Sequence, residues 1–135
     1  MNTALVFHHI GYATVDIDQS ASAFERMGYR RGPVFVDPIQ RTLICFLTKD
    51  QEPSIELVQP ADETSSVNKI VSKRGVTPYH LCYETPDIDR SFDELMEEGF
   101  IPLFRPVEAI AFGDRRICYF FKKETGYLEL VEQGA

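Results

Sequence analysis

Apolar and polar residues alternate loosely over residues 4–14, a stretch rich in β-formers, so the segment reads as a strand. Alternation sets Phe7, His9 and Gly11 on one face and His8, Ile10 and Tyr12 on the other. The period then changes. Ile17, Ala21 and Phe24 recur at helical spacing behind Asp16, an N-cap with Gln19 in the capping-box position, and Gly28 supplies the stop. Residues 33–36, 41–48 and 53–59 read as three further strands, parted by Asp37-Pro38 and by Lys49-Asp50-Gln51-Glu52. From Pro60 to Gly75, Thr64, Ser65 or Ser66 can cap a short helix with Val67, Ile70 and Val71 as its apolar face. A second series follows: a strand at 78–84, a helix over 88–98 on Ile88, Phe92, Leu95 and Met96, and strands near 101–105, 115–121 and 126–132.

The two series are copies. Phe7-His8-His9-Ile10-Gly11-Tyr12 returns seventy-one positions later as the stretch around Tyr79-His80-Leu81-Cys82-Tyr83. From His9/His80 to Tyr29/Phe100 the halves align without a gap, with identity at Tyr12/Tyr83, Thr14/Thr85, Asp16/Asp87, Asp18/Asp89, Ser20/Ser91 and Gly28/Gly99. Ile44-Cys45-Phe46 is echoed by Ile117-Cys118-Tyr119, and Ile55-Glu56-Leu57-Val58 by Leu128-Glu129-Leu130-Val131, at an offset of seventy-three. The reading is α+β: two tandem βαβββ modules, 4–60 and 77–133, joined by a connector at 61–76. Each module alone buries little apolar surface, so residues 1–135 are expected to form one domain.

Composition narrows the function classes. A formal charge of −7 argues against a nucleic-acid surface, and no apolar run is long enough to span a bilayer. Three cysteines cannot all pair within one chain, and their spacing matches no zinc motif. The expectation is a reduced, soluble, cytoplasmic protein.

His9, Glu56, His80 and Glu129 occupy repeat-equivalent places, one histidine and one glutamate per module. If a pseudo-two-fold axis relates the modules, all four side chains can converge. Two imidazoles and two carboxylates make a mixed N/O site suited to zinc, nickel, cobalt, manganese or Fe(II). A lone strand histidine or glutamate is ordinarily a surface or hydrogen-bonded residue. Duplication, and the apolar neighbours Ile55, Leu57, Leu128 and Leu130, favour the metal reading here. His8, on the opposite face, reads as a packed histidine, and Cys45, Cys82 and Cys118 as structural residues. Arg115, Arg116, Lys122 and Lys123 read as solvated charge, with all four, Arg115 and Arg116 foremost, as candidates for meeting a phosphate or carboxylate of a substrate.

At these residues the chain resembles the vicinal-oxygen-chelate superfamily, the group of glyoxalase I, methylmalonyl-CoA epimerase and the extradiol dioxygenases. The epimerase branch is the nearest likeness. It rests on His9 in the His-Ile-Gly opening, on Ile55-Glu56-Leu57-Val58-Gln59-Pro60, and on the connector from Ser66 to Gly75. It continues through Tyr79-His80-Leu81-Cys82-Tyr83-Glu84 and the terminal Leu128-Glu129-Leu130. The resemblance implies paired βαβββ modules in an open, cupped barrel around one divalent metal (zinc, cobalt, nickel or manganese), with a homodimer as the assembly.

What it implies for function is a metal-dependent isomerase or epimerase that abstracts a proton alpha to a carbonyl, on an acyl-CoA-like substrate. Glu129 would be the base, Glu56 its counterpart, and His9 and His80 fixed ligands. Ile44 stands where some epimerases carry a second catalytic carboxylate. A glyoxalase I-like lyase is the alternative, although Gly11-Tyr12-Ala13-Thr14 lacks the arginine with which glyoxalase I grips glutathione. A non-catalytic small-molecule binding or resistance protein of the same fold is the other.

Overall fold

The computed structural model describes residues 4–134. Its elements, in chain order, are β1 (Val6–Ala13), α1 (Ile17–Glu25), β2 (Arg30–Asp37), β3 (Thr42–Thr48), β4 (Ser54–Pro60), α2 (Val67–Arg74) and β5 (Thr77–Thr85). They continue with α3 (Ile88–Glu97), β6 (Ile101–Pro102), β7 (Val107–Glu108), a 3₁₀ turn at Ile110–Phe112, β8 (Arg116–Lys122) and β9 (Gly126–Glu132). The fold is α+β, with mixed, open sheet and few helices, as the sequence leads one to expect.

The chain divides into two compact units, His9–Tyr79 and the residues from His80 onward together with those up to His8. In the His9–Tyr79 unit β1 runs parallel to β4, which pairs antiparallel with β3, which pairs antiparallel with β2. Ile17 and Ala21 of α1 pack on Cys45 and Leu47 of β3 and Ile55 and Leu57 of β4, with Tyr12, Phe24 and Tyr29 at the margin. Val67 of α2 closes a smaller cluster with Ala13 and Val58. In the other unit β5 runs parallel to β9, β9 pairs antiparallel with β8, and β6 and β7 both pair with β8. Ile88, Phe92 and Leu95 of α3 pack on Cys118, Phe120, Leu128 and Leu130.

Both strand-to-helix turns are built alike, which explains the identities at Thr14/Thr85, Asp16/Asp87 and Ser20/Ser91. Asp16 and Asp87 have extended backbone, and each accepts a hydrogen bond from the amide three residues on, Gln19 or Arg90, at 3.1 Å. Beneath each cap, the hydroxyl of Thr14 meets that of Ser20 at 2.7 Å, and Thr85 meets Ser91 at 2.6 Å.

The helix ends are also twins. Gly28 and Gly99 adopt φ of 100° and 93°, a region that favours glycine. Lys49 donates to the Met27 carbonyl at 2.9 Å and Lys122 to that of Glu98 at 3.3 Å, which suits a cation at a helix C-terminus. Each ammonium lies 5.4 Å from a ring centroid, of Tyr29 or of Phe100. Lys122, read from sequence as solvated charge, is thus a helix-terminal partner.

Two strands differ from the sequence reading by three residues at one end. The strand expected at 33–36 extends over Arg30–Asp37 because Arg30 and Arg31 pair with Thr48 and Leu47. The strand expected at 101–105 stops after Pro102. Leu103 still donates its amide to the Tyr119 carbonyl at 2.9 Å, but Phe104 turns toward the Phe92 core and Pro106 lacks a donor, so the ladder resumes only at Val107. In the connector, Ser66 takes the N-cap place without a side-chain cap bond, and Ser65 accepts from the Val67 amide at 3.4 Å.

Candidate functional site

Period-two alternation turns the two faces of β3, β4, β8 and β9 to different ends. Ile55 and Leu57 enter the core beneath α1, so Glu56 between them points to the other face. Leu128 and Leu130 do the same beneath α3, with Glu129 on the other face. A histidine–glutamate contact then forms within each unit. His9 Nε2 stands 3.3 Å from Glu56 Oε1, with side-chain exposures of 0% and 2%. His80 Nε2 stands 3.1 Å from Glu129 Oε1, with exposures of 0% and 3%. The same nitrogen of each histidine is used. A carboxylate this deeply buried is stable only against a cation or hydrogen-bond donors.

Each pair brings one imidazole nitrogen and one carboxylate oxygen together out of bulk water. That is the donor chemistry of the borderline divalent ions, so these residues fit such a metal.

The strand register brings a further side chain to each pair. Phe46 stands opposite Glu56 in the β3–β4 ladder, and Tyr119 stands opposite Glu129 in the β8–β9 ladder. The Phe46 ring lies 5.5 Å from the His9 ring at an interplanar angle of 78°. The Tyr119 ring lies 5.2 Å from the His80 ring at 89°. Neither aromatic was singled out from the sequence as part of the site. The signal was present in the repeat, where Phe46 and Tyr119 are equivalent, but an aromatic in a strand reads first as core.

The remaining candidates lie as follows. Ile44 is buried on β3, in register with Phe35 and Val58, and brings no titratable group. Arg115 donates to Glu84 at 3.2 Å, to the Phe112 carbonyl at 3.0 Å and to the Glu132 carbonyl at 3.3 Å. Arg116 holds Asp89 at 2.8 Å and Glu132 at 3.1 Å. Both guanidiniums therefore have carboxylate partners within the chain. Among the described residues the structure groups them with Glu84, Asp89 and Glu132. His8 is half-buried, its ring 5.7 Å from that of Phe112.

Cys45, Cys82 and Cys118 are buried and free of disulfides. Burial first, and the charge of Glu129 second, push the Cys118 thiol up to about 12. Burial likewise raises the Cys45 thiol above its ordinary value. Neither is poised as a nucleophile. No helix among the described residues is long and apolar enough to cross a membrane.

Comparison with known proteins gives this geometry its relatives. Residues 8–119 match the family described as the Glyoxalase/Bleomycin resistance protein/Dioxygenase superfamily. A curated relative, the ethylmalonyl-CoA/methylmalonyl-CoA epimerase of Cereibacter sphaeroides, is 26% identical over 131 residues, covering 93% of this chain and 96% of its own. Methylmalonyl-CoA epimerase from Mycobacterium tuberculosis superposes with a TM-score of 0.87 at 24% identity, covering 100% of this chain and 93% of that one. A variant of the Streptomyces coelicolor methylmalonyl-CoA epimerase, in complex with 2-nitronate-propionyl-CoA, gives 0.84 at 25% identity, covering 97% and 99%.

Proposed function

The chain belongs to the Glyoxalase/Bleomycin resistance protein/Dioxygenase superfamily, and from that membership we propose that it is a metal-dependent epimerase of 2-substituted acyl-CoA esters. The observation that carries the reading is the pair of buried histidine–glutamate contacts at repeat-equivalent positions. In this reading His9, Glu56, His80 and Glu129 together hold one divalent ion, of zinc, cobalt, nickel or manganese. When bound, such an ion supplies Lewis-acid polarisation of the substrate carbonyl.

The chain's own groups carry the proton. A carboxylate oxygen of Glu129, a buried residue, takes the proton alpha to the carbonyl. Inversion of the centre needs a proton delivered to the other face, by Glu56 carrying one from solvent or by a water, while Glu129 releases the proton it took to solvent. Ile44 has no proton to give or take, so it serves as apolar wall. His9 and His80 are fixed ligands in this reading. The relatives named for methylmalonyl-CoA epimerisation support the acyl-CoA class. The same reading includes a homodimer, which light scattering at micromolar concentration checks.

The test is solvent exchange. Metal-loaded protein in deuterium oxide should wash deuterium into the alpha position of a 2-methylacyl-CoA ester. Exchange into a glutathione thiohemiacetal instead would move the assignment to a glyoxalase I-like lyase. Binding without exchange of either would make it a binding protein.

A further inference from the structure

We propose that Phe46 and Tyr119 are positioning residues, each fixing the plane of its unit's histidine so that Nε2 stays aimed at the glutamate. We further infer that the aromatic ring, not the tyrosine hydroxyl, does this. The proposal rests on the metal-binding reading above only for its effect on affinity.

The strand backbone fixes where a histidine Cβ lies, but it leaves the ring plane loosely defined. The final torsion of an imidazole joins an sp³ to an sp² atom, and its wells are broad. A buried imidazole that must present one nitrogen to one oxygen therefore needs a neighbour to hold its plane. Ring pairs prefer edge-to-face arrangements with centroids about 4.5–7 Å apart, so an aromatic neighbour imposes an angle as well as a distance. Both histidines have such a neighbour, at 5.5 Å and 78° for His9 and at 5.2 Å and 89° for His80. In each unit that ring comes from the strand position opposite the glutamate. One ladder step thus delivers both the acid and the ring that orients its partner.

The units differ in one atom that matters here. Phe46 has no hydroxyl, yet it makes the contact that Tyr119 makes, at nearly the same spacing. The ring is therefore sufficient. Tyr119 is itself packed against Phe104, with centroids 5.8 Å apart, which limits its own freedom to swing away.

The experiment compares the parent protein with Tyr119→Phe, Tyr119→Leu and Phe46→Leu, using cobalt(II) as the probe metal in competition with a chromophoric chelator. Tyr119→Phe should bind cobalt like the parent. The two leucine variants should bind about 10–100-fold more weakly, the range expected when a partner orienting a metal-binding histidine is lost. Their cobalt visible spectra should also change, which a loss of general stability alone would not produce. Equal cobalt affinity in the parent and both leucine variants overturns the proposal, and a Tyr119→Phe protein as weak as Tyr119→Leu overturns the assignment to the ring. A second measurement needs no metal: the carbon-bound imidazole protons of His80 in metal-free protein, followed by heteronuclear NMR. They should shift or broaden in Tyr119→Leu and stay in place in Tyr119→Phe. If the parent takes up no cobalt, the metal-binding reading falls, and the NMR comparison alone decides the brace. Unchanged His80 signals in Tyr119→Leu then overturn it.

Discussion

Thr85 and Ser91 share a hydrogen bond of 2.6 Å across the turn from β5 into α3, with both side chains almost wholly buried. The Thr85 hydroxyl also accepts from the Asp87 amide at 3.3 Å, so one oxygen serves the cap and the first turn of the helix together.

Thr85→Val keeps the shape of this side chain and deletes its hydroxyl. Buried groups left short of a partner cost about 1–3 kcal/mol, so urea unfolding should show a loss of that size with the slope unchanged. Thr14→Val should lose less, because Ser20 is partly open to water whereas Ser91 is buried. A Thr85→Val protein as stable as the parent would mean that the hydroxyl pair contributes nothing.

Arg116 ties two carboxylates from different elements, Asp89 of α3 and Glu132 of β9. Its guanidinium holds Asp89 below the ordinary 3.8. For Glu132, burial pulls upward, but the Arg116 amide and guanidinium outweigh it and hold the carboxyl below 4.5. With folded values depressed, the stabilisation is complete above the unfolded values and is lost as pH falls through the folded ones. Stability of the parent should therefore decline below about pH 4.5. Arg116→Met should flatten that part of the pH–stability profile; a profile parallel to the parent's would show that the pairs are not coupled to folding.

Glu129→Gln should keep a coordinating oxygen while losing the base. Under the epimerase reading, alpha-proton exchange should fall by about 10²–10⁴-fold, the usual worth of a general base. Cobalt content should be measured on the same sample. A metal-loaded Glu129→Gln protein exchanging at the parent's rate would refute Glu129 as base.

Prolonged chelation should lower the thermal midpoint of purified protein, and one equivalent of cobalt or zinc should restore it. A ligand bound only by the folded state stabilises it in proportion to the logarithm of its concentration over Kd. His80→Ala should abolish this metal-dependent shift. A midpoint indifferent to both chelator and metal would leave the buried pairs as purely structural contacts.

The sequence was readable where a local rule and the repeat agreed. Asp16 announced its cap, and the repeat carried the same plan to Asp87. The twin lysines were harder to read. Lys122 sits beside Lys123 in a pair resembling solvated charge, and only the fold brings its ammonium over Phe100 and onto the end of α3. Arg115 and Arg116 were opaque for a similar reason. Glu84, Asp89 and Glu132 are distant in sequence, so nothing local marks them as partners. The stretch after Gly99 misled because Ile101, Leu103 and Phe104 have strand character, while Phe104 turns into the core and Pro106 has no amide to donate.

That interruption means the two units end their sheets differently. The outermost strand of the His9–Tyr79 unit is β2, eight residues long, with Val34 and Val36 exposed. A continuous, apolar outer strand invites another chain to add to it. Here the register slips between Arg31 and Val34, across Gly32 and Pro33, and Arg30 and Arg31 place charged side chains at its start. The other unit has only two-residue pieces in the corresponding place, too short to template a neighbour. One copy of the duplicated module thus guards its margin with a kink and charged side chains, and the other by having almost no margin to offer.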